Sequence, residues 1–176
     1  MVSSKTETMR NRSSQVLLDF VAGGEPQYAK LLRMFKHIIV PVDGSDCSSR
    51  AANVAGSLAR ELGAECILCV AVDVVAAAGY AAAAPDLVDA WLKTLRDQAR
   101  TVLEETAARL RKTGVDAKIA VADGYPAEAI LQFAKNHRGD LIVMGSHGRS
   151  GLRRFFLGSV AETVVRSATI PVLIVR

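Results

Sequence analysis

The sequence predicts a doubly wound α/β domain, a five-stranded parallel sheet in the order 3-2-1-4-5. Apolar, β-branched runs alternate with segments of helical period from Lys36 onward, the pattern of parallel strands joined by crossover helices. The first and fourth runs are apolar throughout, as strands covered on both faces must be, whereas the third alternates. That texture puts strands one and four side by side in the middle and strand three at an edge.

His37-Ile38-Ile39-Val40-Pro41-Val42 opens the sheet as a short buried strand. Asp43-Gly44-Ser45 turns the chain, and Ser48 to Leu62 reads as a helix stopped by Gly63. Cys66 to Val72 is a second buried strand. An alanine-rich linker, Val74 to Ala84, leads to a helix in which Leu87, Trp91, Leu95, Val102 and Leu110 recur at helical spacing until Gly114. Val115, Ala117, Ile119 and Val121 then alternate with Asp116, Lys118 and Ala120, marking a strand with one wetter face. Pro126 suits the first turn of the next helix, with Ile130 and Phe133 on one side. Leu141 to Met144 is all apolar and runs into Gly145-Ser146-His147-Gly148; a short helix begins near Ser159, and Pro171 to Val175 closes the sheet. Together these make one Rossmann-like domain at residues 34–176, and residues 1–33, rich in Ser, Thr and Arg at their start, read as a flexible extension.

Composition narrows the function. Half of the 176 residues are apolar and 23% are charged, which excludes a disordered chain. No apolar run approaches the roughly 18 residues of a membrane span; the nearest, Val70 to Pro85, is broken by Asp73 and Gly79. The net charge is +4, but residues 1–36 hold six Lys/Arg against three acids, leaving +1 for the rest. A nucleic-acid binder concentrates basic charge on its folded face, so neither membrane nor nucleic acid is an expected partner. Three cysteines, an odd count, without a secretory leader point to a reducing, cytoplasmic compartment. Cys66 and Cys69 fall three apart on a strand and face opposite ways, as core residues rather than a redox pair or metal site.

Ligands of open α/β sheets bind beyond the carboxyl ends of the strands, where the strand order reverses. Those ends are Pro41-Val42-Asp43 and Met144-Gly145. The segment after strand four reads GSHGRSGLRRFFLGS. Glycines 145, 148 and 158 let the backbone approach a ligand and take positive φ, successive N–H groups can form an anion nest, and Gly158-Ser159 opens a helix whose start attracts phosphate. Ser159-Val160-Ala161-Glu162 reads equally as a capping box. His147 suits a phosphate or ribose contact, or plain solvation. Arg149, Arg153 and Arg154 suit steering of an anion, or a solvated loop face. Asp43 is a ligand contact in its crevice, or a turn aspartate.

The spacing Gly145-x2-Gly148-x9-Gly158-Ser159 resembles the G-x2-G-x9-G-[S/T] signature of the ATP-binding branch of the universal stress protein family. The likeness runs from the opening Phe35-to-Ser45 segment to the terminal Ile170-to-Val175 strand. It implies an ATP-binding regulatory protein of the stress response, with Mg2+ accompanying the nucleotide and no metal ligand from the protein. It further implies that Asp43 contacts the nucleoside with Pro41 and Val42 beside the base. The backbone of Ala71 then meets the adenine; Met144, Gly145, His147 and Gly148 form the first half of the phosphate loop, and Gly158, Ser159 and Val160 the second. The tail before Met34 and the alanine-rich linker depart from the family pattern.

Two other functions stand against this one. A nucleotide-dependent enzyme or slow ATPase of a related α/β type would share the fold, but Gly is nowhere followed by Lys, so no P-loop exists. No Ser-His-Asp or paired-carboxylate spacing designates a catalytic residue, and an ATP-pyrophosphatase would want Ser-Gly-Gly where Asp43-Gly44-Ser45 stands. A nucleotide-independent dimeric adaptor would use only the fold and its surface. Val172-Leu173-Ile174-Val175 is an apolar edge without charge, a pairing template that the same strand of a second copy would cover in a two-fold homodimer.

Overall fold

Ile38 to Val40 and Leu141 to Met144 carry only hydrocarbon or thioether side chains, and both segments are buried on both faces at the centre of the sheet. The computed structural model describes residues 34–75, 85–148 and 157–176. The extension 1–33, most of the alanine-rich linker and the loop carrying Arg149, Arg153 and Arg154 lie outside the described residues. The elements are β1 (His37–Pro41), α1 (Asp46–Leu62), β2 (Glu65–Val72), α2 (Pro85–Arg111), β3 (Lys118–Asp123), α3 (Pro126–Asn136), β4 (Leu141–Gly145), α4 (Ser159–Ser167) and β5 (Val172–Val175). All strand pairs are parallel, in the order β3-β2-β1-β4-β5.

Two apolar layers sandwich the sheet. Ile38, Val40, Leu68 and Val143 pack with α1 and α2 on one face, and Ile39, Ile67, Ile142 and Met144 with α3 and α4 on the other. Cys66 belongs to the first layer and Cys69 to the second, so the two thiols point to opposite faces as their spacing requires. Burial pushes the Cys66 thiol up to about 11 and that of Cys69 to about 12, which keeps both neutral and inert.

Local chemistry moves some boundaries. α1 starts two residues before Ser48, because Ser45 caps it by accepting the Ser48 N–H at 3.2 Å. Gly63 ends it at φ 63, the left-handed conformation that glycine adopts without strain. β3 begins three residues later than the alternation from Val115 suggests: Val115 is buried, but its N–H returns to Leu110 O at 3.1 Å and finishes α2 instead of pairing in the sheet. In α2 the inward face is Val88, Ala99, Leu103, Ala107 and Leu110, while Leu87 and Trp91, at the same period, are 73% and 43% exposed.

The amino ends of the strands are fastened by Asp140, which accepts from Lys36 N at 2.6 Å and His37 N at 3.1 Å and donates its own N–H to His37 O at 3.0 Å. At the far edge β5 is only partly covered, with Leu173 38% exposed. Among the described residues no helix is long and apolar enough to cross a membrane.

Candidate functional site

At the carboxyl ends of β1 and β4 the sheet opens into a cavity of about 370 Å³, within the usual range for small-molecule sites. Every one of the eleven residues singled out in the sequence lines it, from Pro41, Val42 and Asp43 through Ala71 and the glycine loop to Val160. Ser48, Pro126, Ile130, Ser146 and Ala161 line it too, and the sequence reading had not included them. Topology could have found three of these: helices beginning near a switch point aim their first turns at it, which brings in Ser48, Pro126 and Ala161.

β1 leaves the sheet early. Val42 N donates to Cys69 O at 2.8 Å as the last rung between β1 and β2. Ala71, the next β2 residue on that side, lies beyond the rung and half-buried at the cavity wall. Asp43 follows in a turn through Gly44 at φ 82. Its Oδ1 accepts the Ser45 N–H at 3.0 Å, and its own N–H meets Ser48 Oγ at 3.3 Å. The turn role of Asp43 and its place in the crevice therefore coexist.

The three loop glycines differ from expectation. None takes a positive φ; the left-handed glycines among the described residues are Gly44, Gly63, Gly114 and Gly124. What they share is close approach. A Cβ on Gly145 would stand 2.9 Å from the main chain of Cys47 and Ser48, so this glycine seats β4 against α1. On Gly148 it would lie 2.6 Å from Asp43 Oδ2, and on Gly158 3.4 Å from Ser146 O.

The capping-box reading of Ser159 gives way as well. Gly158 is the N-cap of α4, with φ −64 and no side chain over the helix start, and Ser159 is already the first helical residue. Ser159, Val160 and Ala161 of this first turn line the cavity, and Gly158 makes no side-chain cap bond to it, a helix start of the kind that suits an anion. Ser146, 2% exposed, ties the loop together: its N–H donates to Val175 O at 2.8 Å, its C=O accepts from Gly158 N at 2.8 Å, and its Oγ meets His147 Nδ1 at 2.9 Å. That bond fixes the imidazole, whose buried Nε2 has no partner among the described residues. Also among these residues, no cluster of His, Cys, Asp or Glu could hold a metal ion.

The sequence profile described as "Universal stress protein family" matches residues 34–176. A universal stress protein of Methanocaldococcus jannaschii, MJ0531, is 38% identical over 144 residues, covering 81% of this chain and 83% of its own. The solved structure of universal stress protein UspA from Lactobacillus plantarum superposes with TM-score 0.73 at 27% identity, over 81% of this chain and 98% of that one. A universal stress protein solved in complex with cAMP gives TM-score 0.59 at 28% identity, over 81% and 97% of the two chains.

Proposed function

The chain belongs to the universal stress protein family, and from that premise we propose that its crevice binds an adenine nucleotide, with ATP preferred, as a regulatory ligand. The observation that carries this is the start of α4, whose N-cap Gly158 makes no side-chain cap bond, in the same cavity as the glycine loop and the end of β1. Main-chain N–H groups of His147, Gly148, Ser159 and Val160 hold the phosphates, those of Ser146 and Gly158 being engaged by Val175 O and Ser146 O. Asp43, Pro41, Val42, Met144 and the backbone of Ala71 hold the nucleoside. Mg2+ arrives with the nucleotide in this reading. The similar protein solved with cAMP supports an adenine nucleotide as the ligand class.

In this reading the protein binds rather than turns over, acts in the cytoplasm, and pairs with a second copy through the half-covered β5 edge. The nucleotide-binding unit is residues 34–176, and residues 1–33 are outside it in sequence. Mass spectrometry of ligand released from freshly purified protein, followed by ATP titration calorimetry, tests the assignment. Bound adenine nucleotide is expected; no nucleotide and no ATP binding at millimolar concentration would overturn it. Repeated phosphate release per protein would make the chain a slow ATPase instead, and sedimentation showing only monomer at micromolar concentration would remove the dimer.

A further inference from the structure

The chain has three histidines, His37, His137 and His147, and hydrogen bonding assigns the tautomer of two of them. His137 Nδ1 lies 2.9 Å from Phe133 O. A carbonyl oxygen only accepts, so the neutral ring of His137 carries its proton on Nδ1. His147 Nδ1 lies 2.9 Å from Ser146 Oγ instead, and a hydroxyl can take either part.

Burial decides between the two. Ser146 is 2% exposed, and His147 Nδ1 is the one partner of its hydroxyl among the described residues. Were Nδ1–H the donor, the hydroxyl proton and the Nε2 lone pair would both be left without partners. With the hydroxyl donating, only Nε2–H is left over. The second arrangement costs less, because each buried polar group without a hydrogen bond forfeits its solvation. His147 therefore carries its proton on Nε2, the opposite of His137.

One donor then remains unmatched. Among the described residues, His147 Nε2 is the sole buried side-chain nitrogen or oxygen without a hydrogen-bond partner, and His147 lines the crevice. What this N–H lacks is an acceptor. The residue that orients it is anchored on both sides, since Ser146 N–H donates to Val175 O and Ser146 C=O accepts from Gly158 N.

Resting on the nucleotide reading above, we propose that Ser146 is a positioning residue, whose hydroxyl orients the neutral imidazole of His147 so that Nε2–H donates to a phosphate oxygen of the ligand. The loop thereby gains a side-chain donor beside its main-chain ones. Because the ring is held before the ligand arrives, less freedom is lost on binding.

Nitrogen-15 NMR of the imidazoles and ATP calorimetry test this. In the wild type His147 should appear as the Nε2–H tautomer and His137 as Nδ1–H, and ATP, but not adenosine, should shift the His147 Nε2 signal. An Nδ1–H ring at His147, or a signal unmoved by bound ATP or moved equally by adenosine, would overturn the proposal and spare the nucleotide reading. Ser146→Ala removes Oγ and keeps both main-chain bonds. It should weaken ATP about three- to tenfold, the scale of ordering one side chain on binding. In a His147→Gln background no imidazole remains to be oriented, so the same change should alter affinity by less than about twofold. Equal losses in the two backgrounds, or unchanged ATP affinity in Ser146→Ala, would overturn the positioning role. Should Ser146→Ala fail to fold, the wild-type tautomer and its response to ATP decide alone. A wild type that binds no ATP would overturn both this proposal and the nucleotide reading.

Discussion

Gly148 and Asp43 face each other so closely that a Cβ on the glycine would stand 2.6 Å from the aspartate's Oδ2. The carboxylate has little freedom to yield, because its other oxygen holds the Ser45 N–H at 3.0 Å. A side chain at position 148 therefore disturbs the proposed phosphate loop and nucleoside contact together. Gly148→Val should lower ATP affinity by more than about 100-fold, as losing hydrogen bonds to charged groups at both ends would. Circular dichroism should show the fold retained, and unchanged affinity in the folded variant would sink the phosphate-loop assignment.

Asp43→Ala separates the two ends. ATP binding should weaken by about 10- to 150-fold, the range for one hydrogen bond to a charged group, while tripolyphosphate still binds at α4. Adenosine should bind the wild type far more weakly than ATP, since it does not reach Ser159. Calorimetry on the three ligands reads each loss separately.

Gly145 answers to stability instead. Its missing Cβ makes room for the main chain of Cys47 and Ser48 at 2.9 Å, and backbone yields less readily than a side-chain tip. Gly145→Ala should cost about 1–3 kcal/mol by urea unfolding, the usual scale of overpacking. A variant as stable as the wild type would show that α1 can shift away.

The buried thiols give a pH signature. Both are neutral below the ordinary thiol value of 9.0; above it the unfolded chain ionises while the folded thiols hold their protons toward 11 and 12. The unfolded state is then favoured, so stability should fall from pH 9 upward, by as much as about 2.7 kcal/mol per unit for two thiols. A Cys66→Ala, Cys69→Ala variant should lose this part of the slope. At pH 8 a thiol reagent should label half-buried Cys47 in the native protein and the other two only on unfolding.

A chain beginning at Met34 should fold and bind ATP like the full chain. A stability loss above about 2 kcal/mol, enough to require a specific packing contact, would show that residues 1–33 belong to the body.

The sheet order was legible because burial on both faces leaves a mark in composition: Ile38–Val40 and Leu141–Met144 contain no polar side chain, whereas Lys118 and Asp123 bracket the edge strand β3. The family resemblance carried by the glycine spacing implied all eleven residues, and all eleven line the cavity. Conformation at those glycines was not legible, because the same residue serves left-handed turns at Gly44 and close approach at Gly145. Nor was the inward face of α2, where helical period alone does not distinguish Leu87 from Val88. Ser146 escaped notice because its role comes from bonds to Val175 and Gly158, far apart in sequence.

Asp140 secures the amino ends of the strands at the pole opposite the crevice. A lineage carrying this fold can therefore vary the two poles on separate terms. Drift among the residues around Gly148 would reshape the crevice, with the chain still folding. Drift at Asp140 would instead be screened by cellular proteolysis before any change at the crevice reached selection.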